Sequence, residues 1–338
     1  MTRLAAWASP VLFLLAGFGV PAEPTPPPYG VLKKIKVGGD GGWDYLTFDA
    51  DARRLYIARS TRVLVLDVDK NKVVGTVPNT PGVHGVALVP KRHLGFASNG
   101  GDSTVTIFDL RTLREKAKVK VGRRPDAIVY DPASDRVFTF NAGSRDATAL
   151  AAADGKVAGT VKLGGRPEFA VADEKGMIYV NLEDKAEVVA FDAKKLAVKH
   201  RWPLAPGKTP TGIAMDRTKR RLFVTCRNEK MVILDADSGK VLATPAIGKG
   251  TDACVFDPDK GLAYSSNGDG TLTVVEEKPA DHFRVLANVK TQAGARTMAL
   301  DPKTHHLYLA TAEFKPAAPG QRRRAIVPDS FVILVVGR

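Results

Sequence analysis

The sequence predicts an all-β chain closed into a seven-bladed β-propeller of four-stranded antiparallel blades. Three observations carry this. A strand–turn–strand unit recurs seven times, its spacing is that of a propeller blade, and no window outside the N-terminus sets apolar residues at helical spacing. The clearest unit is Pro125–Asn141, PDAIVYDPASDRVFTFN. Its centre, Asp131-Pro132-Ala133-Ser134-Asp135, holds residues that preset φ or bond their own backbone. A tight turn between strands Asp126–Tyr130 and Arg136–Asn141 therefore has a mechanism. The same plan appears in GWDYLTFDADARRLYIA (from Gly42), VHGVALVPKRHLGFASN (from Val83) and PEFAVADEKGMIYVN (from Pro167). It appears again in TPTGIAMDRTKRRLFVTC (from Thr209), TDACVFDPDKGLAYSSN (from Thr251) and ARTMALDPKTHHLYLAT (from Ala295). Aligned on the turn, the units fall at Asp49, Val89, Asp131, Asp173, Asp216, Asp257 and Asp301, in steps of 40 to 44 residues. Helical solenoid repeats of similar length need amphipathic helices, which are missing here.

In chain order, Met1–Ala22 reads as a secretory signal peptide. Arg3 supplies the positive end, Leu4–Val20 is apolar, and Val20-Pro21-Ala22 offers small residues for cleavage. Ser9, Pro10 and Gly17 interrupt the apolar run, which makes it marginal as a membrane span, so none is expected after cleavage. Residues 23–30 (EPTPPPYG) form a Pro-rich leader, and 31–338 are the propeller. The expected location is periplasmic or secreted, and the expected state a monomer.

Val31–Gly39 (VLKKIKVGG) looks like a lone fourth strand, and Phe331–Val336 (FVILVV) like a third strand with no fourth after it. The N-terminal strand is therefore expected to complete the last blade and hide both edges. Within the units, Thr104–Asp109 precedes Ala117–Val121, and Met231–Asp235 precedes Val241–Ile247 around the turn Asp237-Ser238-Gly239-Lys240.

This topology sorts residues by face. The innermost strand lines the channel, so the loops entering it and the loops between second and third strands open on one face. Five residues before each alignment point stands the residue at the channel mouth: Asp44, His84, Asp126, Glu168, Thr211, Asp252 and Arg296. With Trp43 and Phe169 as adjoining stacking surfaces, these are the candidate ligand-binding residues. Asp44, Asp126, Glu168 and Asp252 are the candidate metal ligands for a divalent cation, because crowded carboxylates raise one another's pKa unless something offsets them. A wet polar channel with no ligand is the alternative, with Arg296 and His84 supplying the offset. No resident organic cofactor is expected.

The net charge of +14 is spread along the chain. It predicts attraction to an anionic polymer or single-stranded DNA. A basic soluble protein with no such partner is the rival. The rim of the same face should carry Arg123, Arg124, Arg166, Lys208, Lys249, Arg227 and Asn228. One long connection, Glu313–Pro328 (EFKPAAPGQRRRAIVP), adds Arg322, Arg323 and Arg324, and reads either as a loop without structure or as an arm over the channel.

Other chemistry is excluded by spacing. Cys226 and Cys254 form no CxxC, haem-attachment or zinc pattern, and whether they bond is open. Asp67-Val68-Asp69-Lys70-Asn71 starts like a calcium loop but has Lys72 where glycine is needed. Gly38-Gly39-Asp40-Gly41-Gly42 lacks the following Gly-Lys-Ser/Thr of a phosphate loop. There is no GxSxG elbow and no HExxH.

The segments DPASDRVFTFN, DRTKRRLFVTC and DPKTHHLYLAT, with STVTIFDLRT and KMVILDADSGK, resemble the YVTN-type propeller repeat over the whole mature chain. The chain looks like a bacterial secreted YncE-family protein. The resemblance implies the fold, and implies kinship with surface-layer propellers, periplasmic redox propellers and a DNA-binding member. The leading expectation for function is binding of a ligand or protein partner at the loop face without catalysis. A metal-assisted hydrolase or lactonase using the acidic ring with His84 is the second, and nucleic-acid binding through the basic rim the third.

Overall fold

Seven sheets of four antiparallel strands follow one another around a ring in a computed structural model that describes residues 1–2, 28–316 and 324–338. Nearly all of the expected signal segment and leader, and Arg322 and Arg323, lie outside the described residues. Blade 1 is Leu46–Asp49, Arg54–Arg59, Arg62–Asp67 and Lys72–Val77; blade 3 is Pro125–Asp131, Arg136–Asn141, Asp146–Ala151 and Val157–Lys162. The only helical turns among the described residues are the short 3-10 segments Pro90–Arg92 and Pro279–Asp281. No helix there is long and apolar enough to cross a membrane.

The last blade is composite, as the sequence predicts. Its inner strands are Thr297–Leu300, Leu307–Thr311 and Val332–Gly337, and Gly30–Lys36 is its outer strand. Lys34 stands opposite Leu334 and Ile35 opposite Ile333.

Seven apolar clusters fill the seven gaps between neighbouring blades. Phe138, Phe140 and Phe191 join blades 3 and 4, while Leu55, Tyr308 and Ile333 join blades 1 and 7. The alternating strands dictate this, because each blade turns one apolar face to each neighbour. Within blades, an asparagine ends the second strand and latches the third. Asn99 Nδ2 donates to Thr104 and Thr106, and Asn267 Nδ2 donates to Thr271 and Thr273, all at 2.8–3.1 Å. Asn141 does the same with Asp146 and Thr148.

The glycine-rich loop Gly38–Gly42 encloses the buried guanidinium of Arg59. Arg59 donates to the carbonyls of Gly38, Gly39, Gly41 and Gly42 and lies 4.0 Å from the Phe331 ring centroid. Burial pulls its pKa down to about 10. Gly38, Gly39 and Gly41 have φ between +69° and +99°, a backbone that wraps carbonyls inward and that side chains rarely tolerate.

The turns between first and second strands define the opposite face. Each places one residue in the left-handed region, for example Arg53, Arg220 and His305. Their side chains reach the turn aspartate of the preceding blade. Arg53 Nη1 donates to Asp301 at 2.7 Å, Arg220 Nη1 to Asp173 at 3.2 Å, and His305 Nδ1 lies 2.8 Å from Asp257. These contacts staple neighbouring blades.

Glu277 is a buried carboxyl near this face. Its side chain is 1% exposed, Lys219 Nζ is 3.5 Å away, and neither carboxyl oxygen has a hydrogen-bond partner among the described residues. Burial first, and then Asp216 beside it, raise its pKa from 4.5 to about 7. A raised acid binds its proton more tightly when folded, so unfolding sheds protons above pH 4.5. Wild-type stability should fall as pH rises from about 4.5 to 7, whereas Glu277→Gln should be flatter across that window. Urea midpoints at closely spaced pH values test this; parallel curves would refute it.

Candidate functional site

A bulge opens most of the innermost strands. Pairing slips between Val83 and Val86, Pro125 and Ile128, Pro167 and Ala170, Pro210 and Ile213, and Thr251 and Ala253. The slipped residues include His84, Asp126, Glu168, Thr211 and Asp252. A bulge leaves a residue outside the ladder and re-aims its side chain, and here it turns the polar residue toward the channel mouth in most blades. The mouth is braced across blades as well. Tyr45 N donates to His84 O at 3.0 Å and Ala253 N to Arg296 O at 3.1 Å. Asn181 Nδ2 donates to Thr211 O at 2.7 Å, and the hydroxyls of Ser98 and Ser266 donate to the carbonyls of Asp126 and Arg296.

Six of the seven predicted mouth residues form one charged ring. His84 Nδ1 lies 2.5 Å from Asp44 Oδ2 and 3.5 Å from Asp126 Oδ1. Arg296 Nε lies 2.8 Å from Asp252. Glu168 is 8% exposed, accepts no hydrogen bond and meets no cation within 4.0 Å among the described residues. Burial works against a charged His84, but the Asp44 hydrogen bond and the charges of Asp126 and Asp44 outweigh it and hold its pKa at about 9. Burial raises Asp252 to about 6 although Arg296 opposes it. Asp126 is pushed up by burial and by Asp44 and Asp252, against His84. Glu168 is raised by burial, then by Asp126 and Asp252, so its protonated form is favoured.

Thr211 is the exception. It is fully buried, and its hydroxyl lies 3.3 Å from Thr225 O and 3.2 Å from Thr251 O, so it serves backbone groups rather than the mouth. Trp43 also sits off the ring, packed 5.2 Å from Phe331 and 6.2 Å from Phe314. The predicted metal set divides similarly. Asp252 is held by Arg296, whereas Asp44 and Asp126 cluster on His84 with ligand atoms within 4.8 Å of one another.

Sequence reasoning missed Tyr45. Its ring meets Phe169 edge-on at 4.5 Å, a contact from blade 1 to blade 4 across the channel. This pair bridges the channel between blades 1 and 4. Beyond it a separate cavity of about 820 Å³, lined by Thr47, Val129, Val255 and Phe256 among others, opens toward the turn face. An aromatic beside the mouth residue in two blades was the available signal. Ser98, Asn181 and Ser266 were also missed, although each is a small polar residue near the end of a second strand.

The basic rim is less free than its sequence suggests. Arg166 and Arg227 converge on Glu183, with Arg227 3.6 Å away, and Arg123 Nη2 donates to Gly143 O at 3.1 Å. Arg124 lies beside His84, where its charge opposes protonation of the ring. Arg324 lies over the Phe314 ring at 5.1 Å. The base of the long connection is a short hairpin in which Phe314 pairs with Ile326. Cys226 and Cys254 are both free and buried in separate interblade clusters.

Residues 101–278, more than half of the chain, match the PQQ_2 family model, described as outer membrane protein assembly factor BamB. The chain belongs to this family. No curated protein matches its sequence. Among solved structures it is similar to hydrazine synthase of Kuenenia stuttgartiensis, at 15% identity and TM-score 0.71, over 79% of this chain and 92% of that one. It is also similar to the RRP9 WD40 repeats, at 9% identity and TM-score 0.75, over 91% and 97%. A chain of the mitotic checkpoint complex matches at 12% identity and TM-score 0.74, over 97% and 98%. At these identities the likenesses speak for the propeller fold alone.

Proposed function

We propose that this is a secreted or periplasmic propeller of the YVTN-repeat, YncE-like kind that binds a positively charged ligand, or a cationic group of a protein partner, in its acidic mouth without catalysis. One observation carries the reading. Glu168, 8% exposed and with no hydrogen bond or ion pair among the described residues, shares a ring with Asp44, Asp126 and Asp252, and carboxylates crowded in this way favour a cation that offsets them. The Tyr45–Phe169 pair narrows the channel, which suits retention more than passage. The family's description as an assembly factor agrees with a scaffold that binds rather than converts.

Native mass spectrometry of the full chain purified from its own host tests the reading. A mass excess in wild type that disappears in Asp126→Asn/Glu168→Gln is expected. A bare polypeptide mass for both, with the same elution volume for both in host extract, would overturn it.

A further inference from the structure

Within this reading of the mouth as a binding site, we propose that the resident ligand is a divalent metal ion of the zinc class, held by His84 Nδ1 and the carboxylates of Asp44, Asp126 and Glu168. Three of these donors are already gathered: the Nδ1 atom and one oxygen from each aspartate lie within 4.8 Å of one another. The separations of 2.5 Å to Asp44 and 3.5 Å to Asp126 bracket the spacing of about 3.3 Å between donors that each stand about 2.0–2.2 Å from a tetrahedral ion. Shifts of less than an ångström along these two separations would seat the metal on His84, Asp44 and Asp126.

The fourth donor is the independent observation. Glu168 is more than nine-tenths buried, faces the same mouth, and has neither hydrogen bond nor counter-cation among the described residues. The neighbouring cations are engaged elsewhere, Arg296 with Asp252 and Arg166 with Glu183. An imidazolium bridging Asp44 and Asp126 would satisfy those two acids and leave Glu168 with nothing. A metal on the imidazole nitrogen serves those two acids and brings positive charge toward Glu168, whose carboxylate lies outside the gathered three and would swing in as the fourth donor. One imidazole nitrogen with carboxylate oxygens is a donor set suited to zinc, cobalt or nickel, and harder ions such as magnesium prefer oxygen alone.

The backbone aims the imidazole. A Cβ placed on Gly100 would lie 2.8 Å from both Nε2 and Cδ2 of His84, so the absence of a side chain there lets the ring seat with Nδ1 toward the acids. Gly100 touches no proposed ligand atom and acts as a positioning residue for His84. The sequence pattern Asn99-Gly100-Gly101 after a second strand therefore belongs to the site.

The experiment is titration of metal-stripped, tag-free full chain with ZnCl2 by calorimetry, and with CoCl2 by visible absorption. One equivalent of each should bind, with the intense visible bands of tetrahedral cobalt. His84→Gln should abolish those bands, and Glu168→Gln should weaken zinc binding by about 100-fold, as loss of a ligand implies. Gly100→Ala, which removes no ligand, should weaken it about 10-fold. Circular dichroism melts identify any variant that has not folded, and a folded Asp126→Asn serves in its place. Absence of binding to folded wild type, or binding unchanged in His84→Gln and Glu168→Gln, would overturn the metal assignment. If an organic or peptide adduct is seen in native spectra while neither metal binds, the metal is refuted and the binding reading stands; if neither is seen, both fall.

Discussion

Deleting Gly30–Lys36 is expected to abolish the cooperative unfolding transition of the whole propeller. The strand supplies one quarter of blade 7 and buries Ile35 in the cluster that joins blades 1 and 7. Its loss leaves the ladder groups of Val332–Gly337 without a partner and creates the open edge that ring closure removes. It also frees Val37 N and Gly38 N, which now donate to Phe331 O at 3.1 and 2.9 Å and start the glycine loop around Arg59. The damage therefore reaches the mouth, since that loop leads into Asp44. Urea denaturation followed by tryptophan fluorescence should show a broad or absent transition, with aggregation at concentrations where wild type is monodisperse. A peptide covering the strand, added in trans, should restore part of the transition by adding itself to the edge. Ile35→Asp should act in the same direction at about 3–5 kcal/mol, the cost of a buried charge and a lost apolar group. A deleted chain that unfolds with wild-type cooperativity would show that the ring closes without this strand.

The fold was legible because a propeller writes its architecture into a period. A turn aspartate marks six of the seven blades, with Val89 in its place in the other, and the unmatched strands at the two ends point to each other. The mouth residues were legible for the same reason, since a fixed offset from the turn picks out Asp44, His84, Asp126, Glu168, Asp252 and Arg296. The offset does not carry side-chain direction. Thr211 occupies the right position, yet its hydroxyl faces backbone oxygens in a fully buried place. Trp43 is adjacent to a ring residue, yet the aromatic groups of blade 7 claim it. The rim is less free than the sequence suggests because its partners sit on other loops of the same face, in the same blade or the next. Glu183 receives Arg166 from the entry to its own blade and Arg227 from the next blade, a convergence that neither repeat shows when read alone. The Tyr45–Phe169 waist has the same origin. Its members are more than a hundred residues apart and meet only across the channel.

The interblade staples should be the most sensitive single positions, and Asp301→Ala is expected to destabilise the protein by about 3–5 kcal/mol. Asp301 is fully buried and does two jobs. It shapes its own turn by accepting from Lys303 N at 3.0 Å and Thr304 Oγ1 at 2.7 Å, and it accepts from Arg53 of blade 1 at 2.7 Å. Alanine removes all three bonds and leaves Arg53 with Asp69 alone. Arg53→Met should cost less, about 1–3 kcal/mol, because the turn still satisfies the carboxylate. The two effects should be non-additive, and a double-mutant cycle measures the coupling directly. The pH dependence separates this ion pair from mere packing. Burial works to raise the Asp301 pKa, but Thr304, Arg53 and Lys303 together hold it below the ordinary value of 3.8. A depressed acid contributes stability that is present above its unfolded pKa and lost as pH falls through the folded one. The gap between wild type and Asp301→Ala should therefore be widest near neutral pH and narrow below about pH 4. A gap that stays constant through that range would assign the effect to turn geometry alone, and a coupling near zero would dissolve the staple between blades 7 and 1.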